Sequence, residues 1–210
     1  MNILAIFADA GPDVIACGAT LARSVSLGDK VSTFIFADRG SRRHEEFLAT
    51  CAVLGLNGVV KNLGYPGQDV GLNHPISQIA QDVTDAIEMV EPSVIYTHWP
   101  LDLNPSYRAI AEAVLIATRP FESTVARIVS CEIPASTAQA FGSLGFRPNV
   151  YVDITEALDL KCAALRCYAD EILIPPQRAE TIVRAIATVR GSEAGCEYAE
   201  SFVLLREVVR

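Results

Sequence analysis

Short, fully apolar runs of strand length alternate with longer segments of helical periodicity, and that alternation restricts the fold more than any other feature of this chain. The strand-like runs are NILAIFA (2–8), KVSTFIFA (30–37), a weaker GVVKNLGY (58–65), SVIYTHW (93–99), VARIVSCEIP (125–134) and PNVYVDI (148–154). Between them lie amphipathic stretches at 14–28, 42–56, 76–92 and 106–120, the first ending at Gly28 and the last two stopped by Pro92 and Pro120. The remainder reads as largely helical, with helices expected over 156–173 and 177–191. Strands that are apolar on both faces and separated by helices imply a mostly parallel sheet covered on both sides. In such α/β folds the functional groups gather at the carboxyl ends of the strands, where loops enter helices.

The 210 residues suit one domain spanning 1–210, and a chain that is 50% apolar and 20% charged is globular. A net charge of −8 disfavours non-specific binding to nucleic acid and to anionic membrane surfaces. The six cysteines fall in apolar runs without C-x-x-C spacing, as expected of buried free thiols in a cytosolic protein. The opening MNILAIFADAG lacks a basic region and a cleavage site, and no apolar stretch reaches membrane-spanning length, so a cytoplasmic protein is expected. There is no G-x-S-x-G elbow, phosphate-binding P-loop or G-x-G-x-x-G turn.

Two loops at predicted strand ends concentrate the polar chemistry. After the first strand the chain reads Asp9-Ala10-Gly11-Pro12-Asp13. Gly11 can make the turn, Pro12 suits the first helical position, and Asp13 favours the helix dipole. Asp9 can serve the loop's backbone donors or a ligand. After the fourth strand comes YTHWPLDLNPSYR, in which Asn104 is a predicted N-cap, Pro105 opens a helix and Tyr107 lies in its first turn.

These segments carry a resemblance. ILAIFADAGPDVIACGATLAR resembles the opening of the N-acetylglucosaminyl-phosphatidylinositol de-N-acetylase family, also called PIG-L or LmbE-like, whose pattern there is Ala-His-Pro-Asp-Asp-Glu. THWPLDLNPSYR resembles its second signature, Thr-His-His-Pro-x-Asp-Leu-Asn-x-Asp-His-Arg. NLGYPGQD, CEIPAST and RGSEAGCEYAESF extend the match over nearly the whole chain. The implied fold is an α/β, Rossmann-like three-layer sandwich with a mostly parallel sheet. The implied activity is hydrolysis of an N-acetyl sugar amide at zinc. Position by position, however, the resemblance puts Asp9, Pro12 and Tyr107 at the three zinc-ligand positions and Gly11 at the general base. Proline has no donor atom, tyrosine is a poor zinc ligand, and glycine supplies no base.

The resemblance therefore implies a degenerate member: a sugar- or small-molecule-binding or accessory protein with no metal and no cofactor. The alternative is an active deacetylase-type hydrolase with rearranged ligands, or metal-free acid–base chemistry through Asp9, Asp13, His98 and Tyr107. Ligand contacts are expected from Asp38, Arg42, Arg43, Trp99, Asp102, Asn104 and Glu132, with Ser136, Thr137, Arg190, Glu193 and Tyr198 supporting the rim. An arginine at a helix start can take an oxyanion bidentately, and Trp99 can stack on a sugar ring or pack in the core. The expected partner is an amino sugar or nucleotide sugar, and the resemblance implies a homo-oligomer.

Overall fold

The central strand has no polar face to offer water, and the sheet is built around it. In the computed structural model, β1 (Asn2–Phe7) is buried from Ile3 onward. The structure describes residues 1–66, 74–120, 123–134, 136–139, 145–168 and 178–209, without the side chains of Asp38 and Pro66. Alternating elements follow β1: α1 (Pro12–Ser26), β2 (Lys30–Asp38), α2 (Ser41–Val53), β3 (Val60–Pro66), α3 (Ile76–Val90), β4 (Val94–Thr97), α4 (Pro105–Ala117) and β5 (Arg127–Cys131). A 3-10 turn at Thr137–Gln139 leads to β6 (Val150–Asp153), α5 (Leu158–Leu165), α6 (Glu180–Ala194) and β7 (Ala199–Glu207).

The seven strands form one sheet in the order β3-β2-β1-β4-β5-β7-β6. β1 pairs in parallel with β2 (Phe7 opposite Ile35) and with β4 (Leu4 opposite Ile95), and β4 continues in parallel to β5. Chain order thus reverses beside β1: β2 and β3 extend one way, β4 and β5 the other. Such a reversal is where open α/β sheets bind ligands, so the candidate crevice lies at the carboxyl ends of β1 and β4. Helices cover both faces, with α1 packed on α5 on one side and α3 on α4 on the other, giving three layers. Phe7, Phe34, Phe36, Phe47 and Phe202 are all fully buried in the core. Among the described residues no helix is long and apolar enough to cross a membrane.

The carboxy-terminal segment corrects the sequence-based expectation. The region after residue 154 is not simply helical: Ala199–Glu207 is a strand, inserted antiparallel between β5 and β6. The adjacent Leu204 and Leu205 blur the period-2 pattern. What selects the strand is tertiary, because without it the apolar β5 would be an unpaired edge. Phe202 sits opposite Cys131 on one side and Val150 on the other. The helix predicted over 156–173 is found as Leu158–Leu165, and its last part, from residue 169, lies outside the described residues.

A buried ion pair locks β7 and α5 onto α1. Lys161 Nζ donates to Glu200 Oε1 (2.6 Å) and to the Ile15 carbonyl (2.7 Å). The same carboxylate accepts from the Ala19 and Thr20 amides (3.2 and 2.8 Å). Both side chains are only 4% exposed. Gly18 keeps the passage open, since a Cβ there would stand 3.2 Å from Val14 Cγ1 and 3.6 Å from Lys161 Cγ.

Candidate functional site

The crevice is assembled from the ends of β1, β2 and β4 and the start of α4. Gly11, the N-cap of α1, has φ 108°, a conformation open to glycine at little cost. Its amide donates to Asp13 Oδ1 (2.8 Å), so the turn folds back on the first helical turn. Asp13 is 3% exposed. Burial, with the Asp9 charge adding to it, raises its carboxyl to about 6 against backbone hydrogen bonds.

Asp9 is 5% exposed. Burial raises its pKa, opposed by the charges of Arg39, Arg43 and Arg178. Its Oδ2 forms an ion pair with Arg39, the residue that follows β2. Its Oδ1 has no hydrogen-bond partner among the described residues.

His98 is wholly buried. The Ala8 amide donates to its Nε2 (2.9 Å), while the Ala8 carbonyl accepts from the Ala37 amide (2.8 Å). Ala8 therefore ties the end of β1 to both neighbouring strands, through its amide on one side and its carbonyl on the other. The Tyr107 ring stacks on His98 with centroids 4.0 Å apart and planes 4° from parallel. Phe7 meets it edge-on at 4.8 Å. Burial lowers the imidazole pKa to about 3, so the ring is neutral. With Nε2 accepting, its proton sits on Nδ1. Burial pushes the Tyr107 hydroxyl up to about 12, with Arg178 the strongest opposing charge.

The four residues singled out in sequence as candidate chemistry, Asp9, Asp13, His98 and Tyr107, thus lie in one neighbourhood. The expected ligand contacts divide. Asn104 caps α4, its Oδ1 accepting from Ser106 (2.9 Å) and Tyr107 (3.4 Å) amides. Asp102 accepts from the Asn104 amide (2.8 Å) and Ser136 Oγ (2.9 Å) and is 1% exposed. Both are therefore engaged in holding the β4–α4 loop. Both oxygens of Glu132 are engaged by Arg190 (2.6 and 2.8 Å), and Oε2 also by Ser201 Oγ (2.7 Å). Arg190 and Glu132 thus support β5 against α6 and β7.

Arg42 points outward, 70% exposed beside Glu46. Arg43 pairs with Glu46 (2.8 Å) and lies 5.6 Å over the Tyr168 ring. Trp99 meets Phe146 edge-on at 5.6 Å. The Asp38 side chain lies outside the described residues. Sequence reasoning missed Arg39 and Arg178. Arg39 was legible in principle, because a residue directly after β2 must sit beside the loop leaving β1. Arg178 had no local signal.

The order of strands, the loop after β1 and the Asn-capped helix after β4 agree with a family model, GlcNAc-PI de-N-acetylase (PIG-L), that matches residues 4–118. The chain belongs to the PIG-L family. Among solved structures it is similar to the conserved protein TT1542 from Thermus thermophilus, with a TM-score of 0.80, 22% identity, and 100% of this chain and 97% of that one covered. It is also similar to the 4-carboxy-2-hydroxymuconate hydratase of Pseudomonas putida (TM-score 0.79, 19% identity, 100% and 98% covered). A third is the N,N'-diacetylchitobiose deacetylase of Pyrococcus horikoshii (TM-score 0.74, 19% identity, 97% and 83% covered). At these identities the likeness shows the fold. No curated protein matches.

Zinc, the metal implied by the family resemblance, does not fit the residues present. A catalytic site of that kind needs three donor side chains. Of the three corresponding positions, Asp9 is held by Arg39, Pro12 has no donor, and the Tyr107 ring is stacked flat on His98. Among the described residues no three His, Cys, Asp or Glu side chains gather as a metal-binding group.

Proposed function

We propose that this protein is a zinc-independent member of the PIG-L family, a binding or accessory protein that takes a small molecule of the amino-sugar or nucleotide-sugar class in the β1/β4 crevice without hydrolysing it. One observation carries the reading: the only carboxylate at the three metal positions, Asp9, is engaged by the guanidinium of Arg39. The cation paired with Asp9 is thus the guanidinium of Arg39, and a guanidinium cannot generate a hydroxide nucleophile as zinc does. The N,N'-diacetylchitobiose deacetylase of the same fold supports a sugar-type ligand.

The test is the metal content of protein purified with zinc offered throughout, together with deacetylation of N-acetylglucosamine derivatives. Sub-stoichiometric zinc and no turnover are expected. One tightly held zinc per chain would overturn the proposal.

A second reading is an enzyme acting without metal, and it rests on Asp13, a buried carboxyl raised to about 6 next to Asp9. Paired carboxylates with separated pKa values can run acid–base chemistry near neutral pH. The carboxylated-muconate hydratase in the same fold supports chemistry other than amide hydrolysis. Turnover of an N-acyl substrate or hydration of an unsaturated acid, abolished by Asp13→Asn, would favour this second reading over the first.

A further inference from the structure

We propose that the cavity enclosed by the last turns of α1, the β6–α5 loop and the α6–β7 turn is a second ligand site, which takes an aliphatic amine carrying two or more ammonium groups. The site shares no residue with the β1/β4 crevice. Arg23 on its wall lies eleven residues along α1 from Pro12, about 16 Å by the helical rise.

The cavity has a volume of about 760 Å³, within the range of small-molecule pockets. Its walls are pinned to one another. The Thr155 amide and hydroxyl both donate to Asp153 Oδ1 (2.9 and 2.6 Å). The Tyr198 amide donates to Thr155 Oγ1 (3.3 Å), and the Ile154 amide to the Tyr198 carbonyl (2.9 Å). Gly195, at φ 79°, turns the chain out of α6 so that Cys196 and Glu197 line the opening. The space is therefore built by the fold and does not wait on a ligand to form.

Two chemistries meet in the lining. Ala22, Ile154, Ala157 and Leu160 make an apolar floor, with Leu160 still 41% exposed. Around it stand three carboxylates, Asp153, Glu156 and Glu197, against one cation, Arg23. Arg23 can balance one of the three, and neither Glu156 nor Glu197 makes an ion pair among the described residues. The Cys196 thiol donates to the Tyr198 carbonyl (3.4 Å), and burial keeps it protonated. The nearby charges outside the cavity are already matched: Asp159 and Glu180 by Arg184, and Lys161 by Glu200. Two carboxylates are thus left over beside an apolar floor. Ammonium groups joined by methylenes answer both features, the cations meeting the carboxylates and the chain covering the floor. An oxyanion would meet the excess of carboxylates, and a neutral ligand would leave them unmatched.

Isothermal titration calorimetry of the full-length protein with spermidine, and with octanediol as an uncharged chain of similar length, tests this at about 0.15 M salt. Saturable binding of spermidine at one site per chain is expected, with octanediol at least about tenfold weaker. Glu156→Gln/Glu197→Gln is expected to weaken spermidine about 5- to 30-fold. Leu160→Asn, which removes part of the apolar floor, should weaken it about 3- to 10-fold. Glu88→Gln/Glu112→Gln removes two exposed carboxylates from α3 and α4, on the opposite face of the sheet, and should bind like the parent. That control separates the cavity from the general attraction of cations to a chain at −8. Circular dichroism and the melting temperature check that each variant is folded. No saturable binding, equal weakening by the two carboxylate pairs, or octanediol as tight as spermidine overturns the site. Spermidine binding unchanged in Leu160→Asn overturns it as well, since attraction between ions alone would then suffice.

Discussion

Removing one partner of the Lys161–Glu200 pair is expected to destabilise the protein far more than removing both. In Lys161→Met the Glu200 carboxylate remains 4% exposed, keeping the Ala19 and Thr20 amides but losing its counter-charge. A buried charge stripped of its partner typically costs about 3–5 kcal/mol. With an unfolding entropy of about 2.1 cal/mol/K per residue, 210 residues give roughly 0.44 kcal/mol/K, so the melting temperature should fall by about 7–11 °C.

The double variant Lys161→Met/Glu200→Leu places an apolar pair of similar volume in the same space. α1 runs unbroken from Pro12 to Ser26, so its own ladder remains to serve the amides the carboxylate leaves. The double variant should recover most of the loss, because an apolar replacement of a buried pair is often neutral or better. Urea denaturation of the parent, both single variants and the double variant closes the cycle, and a coupling of at least about 2 kcal/mol is expected. The effect should survive 1 M salt, since the pair is out of reach of screening ions. A single-variant cost below about 1 kcal/mol, or a double variant as unstable as the worse single one, would refute the reasoning.

Two further outcomes follow from the site and its support. The Asp13 carboxyl is raised from 3.8 to about 6, so the folded state binds the proton more tightly than the unfolded one. Its contribution is therefore fully present below pH 3.8 and lost as the pH rises through about 6. That loss is at most about 3 kcal/mol. Asp13→Asn, which keeps an acceptor for the Gly11 amide, should flatten this part of the stability–pH profile in denaturant titrations at pH 4, 5, 6 and 7; an unchanged profile would count against the shift. Separately, a Cβ on Gly191 would lie 2.4 Å from the Glu197 carbonyl oxygen and 2.8 Å from that of Cys196, both backbone atoms. Gly191→Ala should cost about 1–3 kcal/mol in urea denaturation, and a neutral result would mean that α6 moves freely against the turn before β7.

Much of this protein was readable from local pattern. The apolar run Ile3–Phe7 could only be a strand covered on both faces, and Asn104-Pro105 could only open a helix, because burial and backbone sterics act over a few residues. The same locality exposed Gly11, Pro12 and Tyr107 as unsuited to a zinc hydrolase, since a missing donor atom is missing in any fold. Tertiary structure decided what occupies the space instead. That β7 is a strand follows from two partners, at Cys131 and Val150, distant in sequence. That His98 is a neutral stacked ring follows from Phe7, Ala8 and Tyr107 converging on it from the end of β1 and the start of α4. Arg39 reaches Asp9 from the end of the neighbouring strand, thirty residues further along the chain. Burial and charge pairing are properties of the assembled neighbourhood, and no single segment of the chain contains them.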